Sequence, residues 1–430
     1  MSTGERQPVS VLSRLSRADR ARTVFHRLLR WAPLVLALSV LARLLWTILT
    51  PNGTNFVDLH VYVDGSAALL HGDLYAFTYS EETPDFPLPF TYPPFAALVF
   101  LPLHYLPFGL VGLCWQVFTV VALFWVIRIS LELLIGETAR EPRWRNVAML
   151  WTALGVWSEP VRTTLDYGQV NVFLVLGAML AVRSTRWWVS GGIVGALAGV
   201  KLTPAITGLY FLAQRRWRAA IFSGVAFAGT VGLSYLVIDG QARDYFTSKF
   251  GDADRIGPVG SAWNQSLRGA LSRLAGHDVG SGVVWIAAVV VAAALGFLAW
   301  RALDRDDRLG TLVLVQLFGL LVSPISWVHH WVWVLPMLIW LVYGPYGRLL
   351  GTRIVAASWL AVTVIGVPWV LKQLEDDSIS RPGALAWAAA VNVVGVLVVF
   401  AWVAYAGRRY RITLTPPARR SGEPTPDPIS

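Results

Sequence analysis

The chain has 430 residues, 55% of them hydrophobic and only 14% charged, with a mean hydropathy of +0.54 and a formal net charge of +10. A soluble domain carries about a quarter charged residues, and the stretches 31–42, 93–127, 219–238, 282–300, 311–328 and 382–407 contain no Lys, Arg, Asp or Glu at all, which excludes a soluble protein with one large core. The excess positive charge is almost entirely arginine in short loops, as in the cytoplasmic loops of membrane proteins, and gives no reason to invoke nucleic acid. Cys114 is the single cysteine, so no internal disulfide can form.

In chain order, residues 1–30 are polar and basic (Arg6, Arg14, Arg17, Arg20, Arg22, Arg27, Arg30) and precede an apolar stretch with no small-residue cleavage pattern. They read as a cytoplasmic N-terminus leading into a first membrane helix at about 31–50, not as a signal peptide. A polar loop at 51–92 follows. It is acidic and free of Lys and Arg, which places it outside. Helically spaced apolar residues (Leu59, Tyr62, Val63, Ala67, Leu70, Leu74) predict an amphipathic helix within 58–75 lying along the membrane surface.

Prolines 93, 94, 102 and 107 break the next apolar stretch into a half-spanning piece, and a second full helix covers 109–135. Segments at 146–158 and 171–182 flank an external polar stretch, Ser158 to Asn171. An apolar hairpin at 187–213 is split by Lys201-Leu202-Thr203-Pro204. Helices at 219–238 and 283–303 enclose a second long external loop, 239–282. Segments at 309–323, 331–345, 354–371 and 383–407 complete the membrane part. The result is an all-α polytopic fold of about 12 spans in one domain, 31–407, with both termini inside and a disordered cytoplasmic tail at 408–430.

This topology gathers the unusual polar clusters on the outer side, where ionisable groups near lipid point to function. Asp58 opens the predicted first-loop helix, where it suits a helix N-terminus equally well. Lys201 interrupts an apolar hairpin and offers a cation to an anionic headgroup; snorkelling to the surface is the plain alternative. His329 and His330 follow a Ser-Pro break among tryptophans; on a helix their side chains diverge by about 100°, which does not suit a shared metal. Trp263-Asn264-Gln265-Ser266-Leu267-Arg268 supplies amides, a hydroxyl and a guanidinium fit for sugar and phosphate, or simply caps a loop helix. No P-loop, Asp-x-Asp pair, nucleotide fingerprint or Cys-x-x-Cys is present.

Six short motifs in order carry a resemblance. They are Asp58-Leu59-His60-Val61-Tyr62 with Gly72-Asp73-Leu74-Tyr75; Thr91-Tyr92-Pro93-Pro94-Phe95; Gly168-Gln169-Val170-Asn171; Lys201-Leu202-Thr203-Pro204; Asn264-Gln265-Ser266-Leu267; and Ser323-Pro324-Ile325-Ser326-Trp327 with His329-His330-Trp331. Over about residues 30–345 the chain resembles the polyprenol-phosphate-mannose-dependent mannosyltransferases of glycosyltransferase family 87, which have the GT-C membrane fold. The resemblance implies transfer of mannose from a lipid-linked donor to a phosphatidylinositol mannoside glycolipid, α-1,2 and from tetra- to pentamannoside, on the extracytoplasmic face of the cell membrane. Asp58 is then the catalytic carboxylate. Substrate-binding positions are His60, Tyr62, Arg162, Gln169, Asn171, Lys201, Asn264, Gln265, Arg268, Trp327, His329 and His330. No metal or other cofactor is expected. A different mannolipid acceptor, an arabinose donor or a lipid-linked-sugar flippase are the alternatives, and the oligomeric state is open.

Overall fold

The computed structural model describes residues 29–49, 54–72, 74–84, 86–252, 255–373, 386 and 388–414. The expected cytoplasmic N-terminus (before residue 29) and Pro-rich tail (after residue 414) lie outside the described residues, as do Asp73 and Asp85 of the first loop. The described chain is dominated by helices. These are α1 (Ala32–Leu49), α2 (Val57–Ala68), α3 (Pro94–Phe100), α4 (Phe108–Ile135), α5 (Pro142–Gly155), α6 (Glu159–Tyr167), α7 (Asn171–Arg183), α8 (Trp187–Val200) and α9 (Thr207–Ala213). They continue with α10 (Trp217–Asp244), α11 (Leu267–Ala275), α12 (Val283–Ala302), α13 (Arg308–Val322), α14 (Val334–Tyr343), α15 (Leu350–Ile365), α16 (Val367–Lys372) and α17 (Val391–Leu414). A two-residue hairpin, Thr78–Tyr79 with Leu88–Pro89, lies in the first loop.

Among the described residues, four helical stretches are long and apolar enough to cross a membrane: Phe108–Arg140, Trp217–Lys249, Val283–Ala302 and Val391–Arg409. The bent pair α6–α7 makes a fifth if counted as one span. The segments at 31–50, 93–107, 187–213, 309–323, 331–345 and 354–371 fall on apolar helices of 10–17 residues, whereas the one at 146–158 falls on the less apolar α5. The breaks between them have local causes. Pro107 and Gly136 bound α4, the latter with φ of 59°. Gly168, at φ 69°, ends α6, and the chain turns by 117° into α7. Lys201 is extended (φ −151°, ψ 129°) ahead of Pro204, so α8 stops there.

Two expectations are corrected. The first-loop helix forms as α2, but Val57, Leu59, Val61, Tyr62, Val63, Gly65 and Ser66 are buried, which spreads burial over more than half of its circumference rather than one narrow face. The loop after it folds back, and Leu74, Phe90, Tyr92, Ala96 and Phe100 share its core. This helix is therefore packed into protein, not laid on a lipid surface. The last helix runs to Leu414, seven residues into the segment read as a disordered tail, because no helix breaker comes before Pro416.

The short loops read from their arginines as facing one side are tied together. Arg216 donates to the Ser184 carbonyl and to Ser190 Oγ, each at 2.7 Å; Arg183 pairs with Glu132 at 3.0 Å; and Arg128 donates to the Ala139 carbonyl at 2.9 Å. The polar clusters assigned to the other side gather at the opposite end of α4, whose 28 residues span about 42 Å at 1.5 Å per residue. α8 and α10 approach closely, since a Cβ on Gly195 would stand 2.5 Å from the Ser223 carbonyl oxygen. Small residues allow such backbone contact between apolar helices, where lipid supplies little hydrophobic drive.

Candidate active site

The site is assembled where three helix breaks meet the start of α2. The turn after α6 projects Gln169, the break between α8 and the next turn projects Lys201, and a 3₁₀ turn at Val328–Trp333 presents His329 and His330. Gln169 is the hub. Its Oε1 accepts from Tyr62 Oη at 3.0 Å, Asn171 Nδ2 at 3.1 Å and Lys201 Nζ at 3.5 Å. Its side chain also hydrogen-bonds Asp58. Three donors converge on Oε1 and a carboxylate only accepts, so the amide nitrogen is the end that serves Asp58.

Lys201 Nζ donates to Asn171 Oδ1 at 3.0 Å and stands 5.4 Å from the centre of the Tyr92 ring. Tyr62 and Tyr92 join hydroxyl to hydroxyl at 3.0 Å. Asp58 is half-buried by its own accessible surface, although protein packs densely around its carboxylate. Burial pushes that carboxyl from 3.8 to about 6, against the opposing pull of the Gln169 hydrogen bond and the Lys201 charge. A general base titrates in this range when it is matched to neutral pH. The expected pH profile therefore has an acid limb: kcat/KM falls below about pH 6 as Asp58 gains its proton. A profile flat down to pH 5 would remove Asp58 from that role.

His329 is 6% exposed, and neither of its ring nitrogens has a partner; His330 Nδ1 and Trp263 Nε1 are likewise buried and unpaired. The two imidazoles do not diverge as adjacent helix positions would. They stand 4.8 Å apart, edge to face, on the 3₁₀ turn. Both feel the charge of Lys201. Tyr167 bridges the cluster, with its ring 6.1 Å from His329 and 6.4 Å from Trp263. Unpaired buried polar groups are costly unless something occupies them, and His330 opens onto a cavity. A cavity of about 290 Å³ leads on from Asn171 and His330 between apolar walls that include Leu174, Val175, Ile206 and Leu320.

Other positions expected to bind substrate stand elsewhere. Asn264 donates to the Val259 carbonyl at 2.9 Å and the Pro324 carbonyl at 3.2 Å, and accepts from Ser326 N at 2.9 Å. Gln265 donates to the carbonyls of Ala262 (2.6 Å) and Ala389 (2.5 Å) and accepts from Asn392 N at 3.1 Å. Both are fully buried. With the Asn264–Trp327 backbone bridge, they clamp the Ser323–Trp327 break from which the histidine turn departs. Gln265→Leu is accordingly expected to lower stability, each orphaned buried group costing about 1–3 kcal/mol, while leaving KM for the donor within twofold in protein that folds. A raised KM at unchanged thermal stability would contradict the structural assignment.

Arg268 Nε is bonded to Asp278 at 2.9 Å, and this bond holds the Asp278 carboxyl below its ordinary value. His60 pairs with Asp64 at 2.8 Å and stacks between Tyr79 and Phe108, so its ring is engaged away from the Gln169 hub. Arg162 lies over Trp369 at 5.6 Å, with Nη2 unpaired. The structure thus unites Asp58, Tyr62, Gln169, Asn171, Lys201, His329 and His330, and adds Tyr167 together with Tyr92 and Trp263, which the sequence motifs contain but which carry no expected substrate role. Among the described residues no three His, Cys, Asp or Glu side chains cluster as metal ligands do.

Comparison with known proteins now adds the lineage. Residues 90–324 match glycosyltransferase family 87. The chain is 55% identical over 383 residues, 88% of its length and 92% of the relative's, to a polyprenol-phosphate-mannose-dependent alpha-(1-2)-phosphatidylinositol pentamannoside mannosyltransferase of Mycolicibacterium smegmatis. A protein of the same description from Mycobacterium tuberculosis is 55% identical over 89% of each chain. A Mycobacterium tuberculosis polyprenol-phosphate-mannose-dependent alpha-(1-2)-phosphatidylinositol mannoside mannosyltransferase is 33% identical over 80% of this chain and 85% of its own. No solved structure matches. On this evidence the chain, with its carboxylate and cation joined at one glutamine, belongs to glycosyltransferase family 87.

Proposed function

We propose that the protein is an inverting mannosyltransferase that moves mannose from polyprenyl-phosphate mannose to a phosphatidylinositol mannoside, forming an α-1,2 linkage in the tetramannoside-to-pentamannoside step. The observation that carries this reading is the Gln169 hub. It holds a carboxylate with a base-like pKa beside a lysine whose charge reaches His329 and His330, in a chain 55% identical to relatives named for that chemistry.

Asp58 takes the proton of the acceptor mannose 2-hydroxyl as that oxygen attacks C1 of the donor. The bond from C1 to the phosphate oxygen breaks, its electron pair stays on the phosphate, and polyprenyl monophosphate leaves. A β-linked donor thereby gives an α-linked product in one displacement. Lys201, His329 and His330 face the charge that develops on the leaving phosphate, and the cavity beyond Asn171 and His330 suits the apolar chain that follows it. Because cationic and N–H groups supply this stabilisation, turnover proceeds without a divalent metal. The setting is a plasma-membrane protein of about 12 spans, with the Asp58 end extracytoplasmic and both termini cytoplasmic.

Purified protein in lipid nanodiscs, given mannosyl-phosphoryl-polyprenol and a tetramannosylated phosphatidylinositol lipid, tests the assignment. A pentamannoside formed equally with and without EDTA supports it. No product from these lipids, or activity lost to EDTA and restored by divalent metal, contradicts the substrate assignment or the metal-free chemistry respectively.

A further inference from the structure

An arginine inside an apolar helix, Arg43, is 3% exposed in α1 and ion-paired to Asp166 in the last turn of α6. Its guanidinium is also tied to Thr47 Oγ1 at 2.8 Å and to the Arg162 carbonyl at 3.4 Å. A charge placed there is costly and calls for a specific role. Asp166 sits three residues before Gln169, and its backbone carbonyl accepts the Phe56 N–H at 3.0 Å. Phe56 adopts φ 49°, a left-handed conformation rare for a bulky residue, and it leads directly into Val57 and Asp58. The same turn is wedged against α2, since a Cβ on Gly168 would stand 2.5 Å from Leu59 Cβ and 3.1 Å from Phe56 Cδ1.

One ion pair thus holds the segment that both fixes the backbone entering Asp58 and carries Gln169, its hydrogen-bond partner. We infer that Arg43 and Asp166 are positioning residues for Asp58: they set the α6 turn so that the carboxylate and the Gln169 amide meet. Neither touches the Gln169 hub with its side chain. The inference rests on Asp58 being the base, and it adds a dependence of that base on a charge pair joining α1 to α6.

The test is transfer by purified Arg43→Gln and Asp166→Asn proteins in nanodiscs, with pH profiles, alongside Asp58→Asn. Each positioning variant is expected to lose about 10- to 100-fold in kcat, as slight misplacement of a reacting group does, with KM for both lipids within threefold. The groups facing Asp58 are Lys201, Tyr62, Tyr92 and Tyr167. Loss of the Gln169 bond raises the carboxyl, so both variants move the acid limb to higher pH. A purely electrostatic effect would instead move it up when Arg43 loses its charge and down when Asp166 loses its own. Arg43→Lys is expected to recover much of the loss and to keep a residual upward shift. Where the first two variants do not fold, this one decides: a several-fold lower kcat with a raised limb supports the inference.

Unchanged kcat with an unmoved limb, or opposite shifts in the two variants, overturns it. If Asp58→Asn itself keeps full activity, the base assignment fails instead, and the two failures are told apart in one experiment.

Discussion

Asp58→Asn is expected to reduce single-turnover mannose transfer by at least the about 10²–10⁴-fold that a positioned general base contributes, in protein that still folds. Asparagine matches the carboxylate in size and can accept the Gln169 amide through its own carbonyl oxygen, so the hub is retained while the proton acceptor is lost. The same substitution separates transfer from the alternative of a lipid-linked-sugar flippase, since moving a headgroup across the bilayer requires no base. Rapid-quench assays at saturating donor, combined with thermal unfolding to confirm the fold, measure the effect. Transfer within threefold of wild type would dismiss Asp58 as the base. Asp58→Glu is expected to restore little, because one extra methylene moves the carboxylate against Gln169 within a packed cluster.

Lys201→Met is expected to lower kcat by about 10²–10³-fold, the usual loss when a preorganised charge facing the transition state is removed. A second consequence identifies the cause. The Lys201 charge lowers the Asp58 carboxyl, so removing the lysine moves the acid limb of the pH profile to higher pH. A lysine that merely packed the α8 break would leave that limb in place. Lys201→Arg keeps the charge but replaces a compact ammonium with a planar fork beside Asn171 and Gln169. It is expected to hold the limb while losing rate. A drop in kcat without movement of the limb in Lys201→Met would mean that the lysine and Asp58 do not share one site.

Much of this architecture was legible because its causes are local. Clustered prolines, and a proline behind a charged or polar residue, stop helices, so the breaks at 93–107, 201–204 and 323–327 could be read directly and the structure has them there. Arginine-rich loops likewise marked one end of the bundle. What remained hidden depends on partners distant in sequence. Gln169 could be quoted as part of a motif, but only the fold shows that it receives Tyr62, Asn171 and Lys201 together. Asn264 and Gln265 carry the groups a sugar would need, yet their partners are main-chain atoms at 324–326 and 389–392. Nothing near them in sequence reveals that. The α2 helix has apolar residues at helical spacing, and only the return of the loop at 74–100 turns it from a surface helix into a buried one. Arg43 did leave a signal, a lone charge within an apolar span, and in a membrane that signal alone justifies a search for its partner.

The measurement that tests the central claim most directly is product stereochemistry in a single turnover. Enzyme in excess, β-linked mannosyl-phosphoryl-polyprenol and the tetramannoside acceptor are mixed and quenched, then the new linkage is read by NMR and the protein by mass spectrometry. One displacement driven by Asp58 as base predicts an α-linked pentamannoside and no mannosylated enzyme at any time point. A β-linked product, or mannose carried covalently on Asp58 before transfer, would contradict it and make the carboxylate a nucleophile.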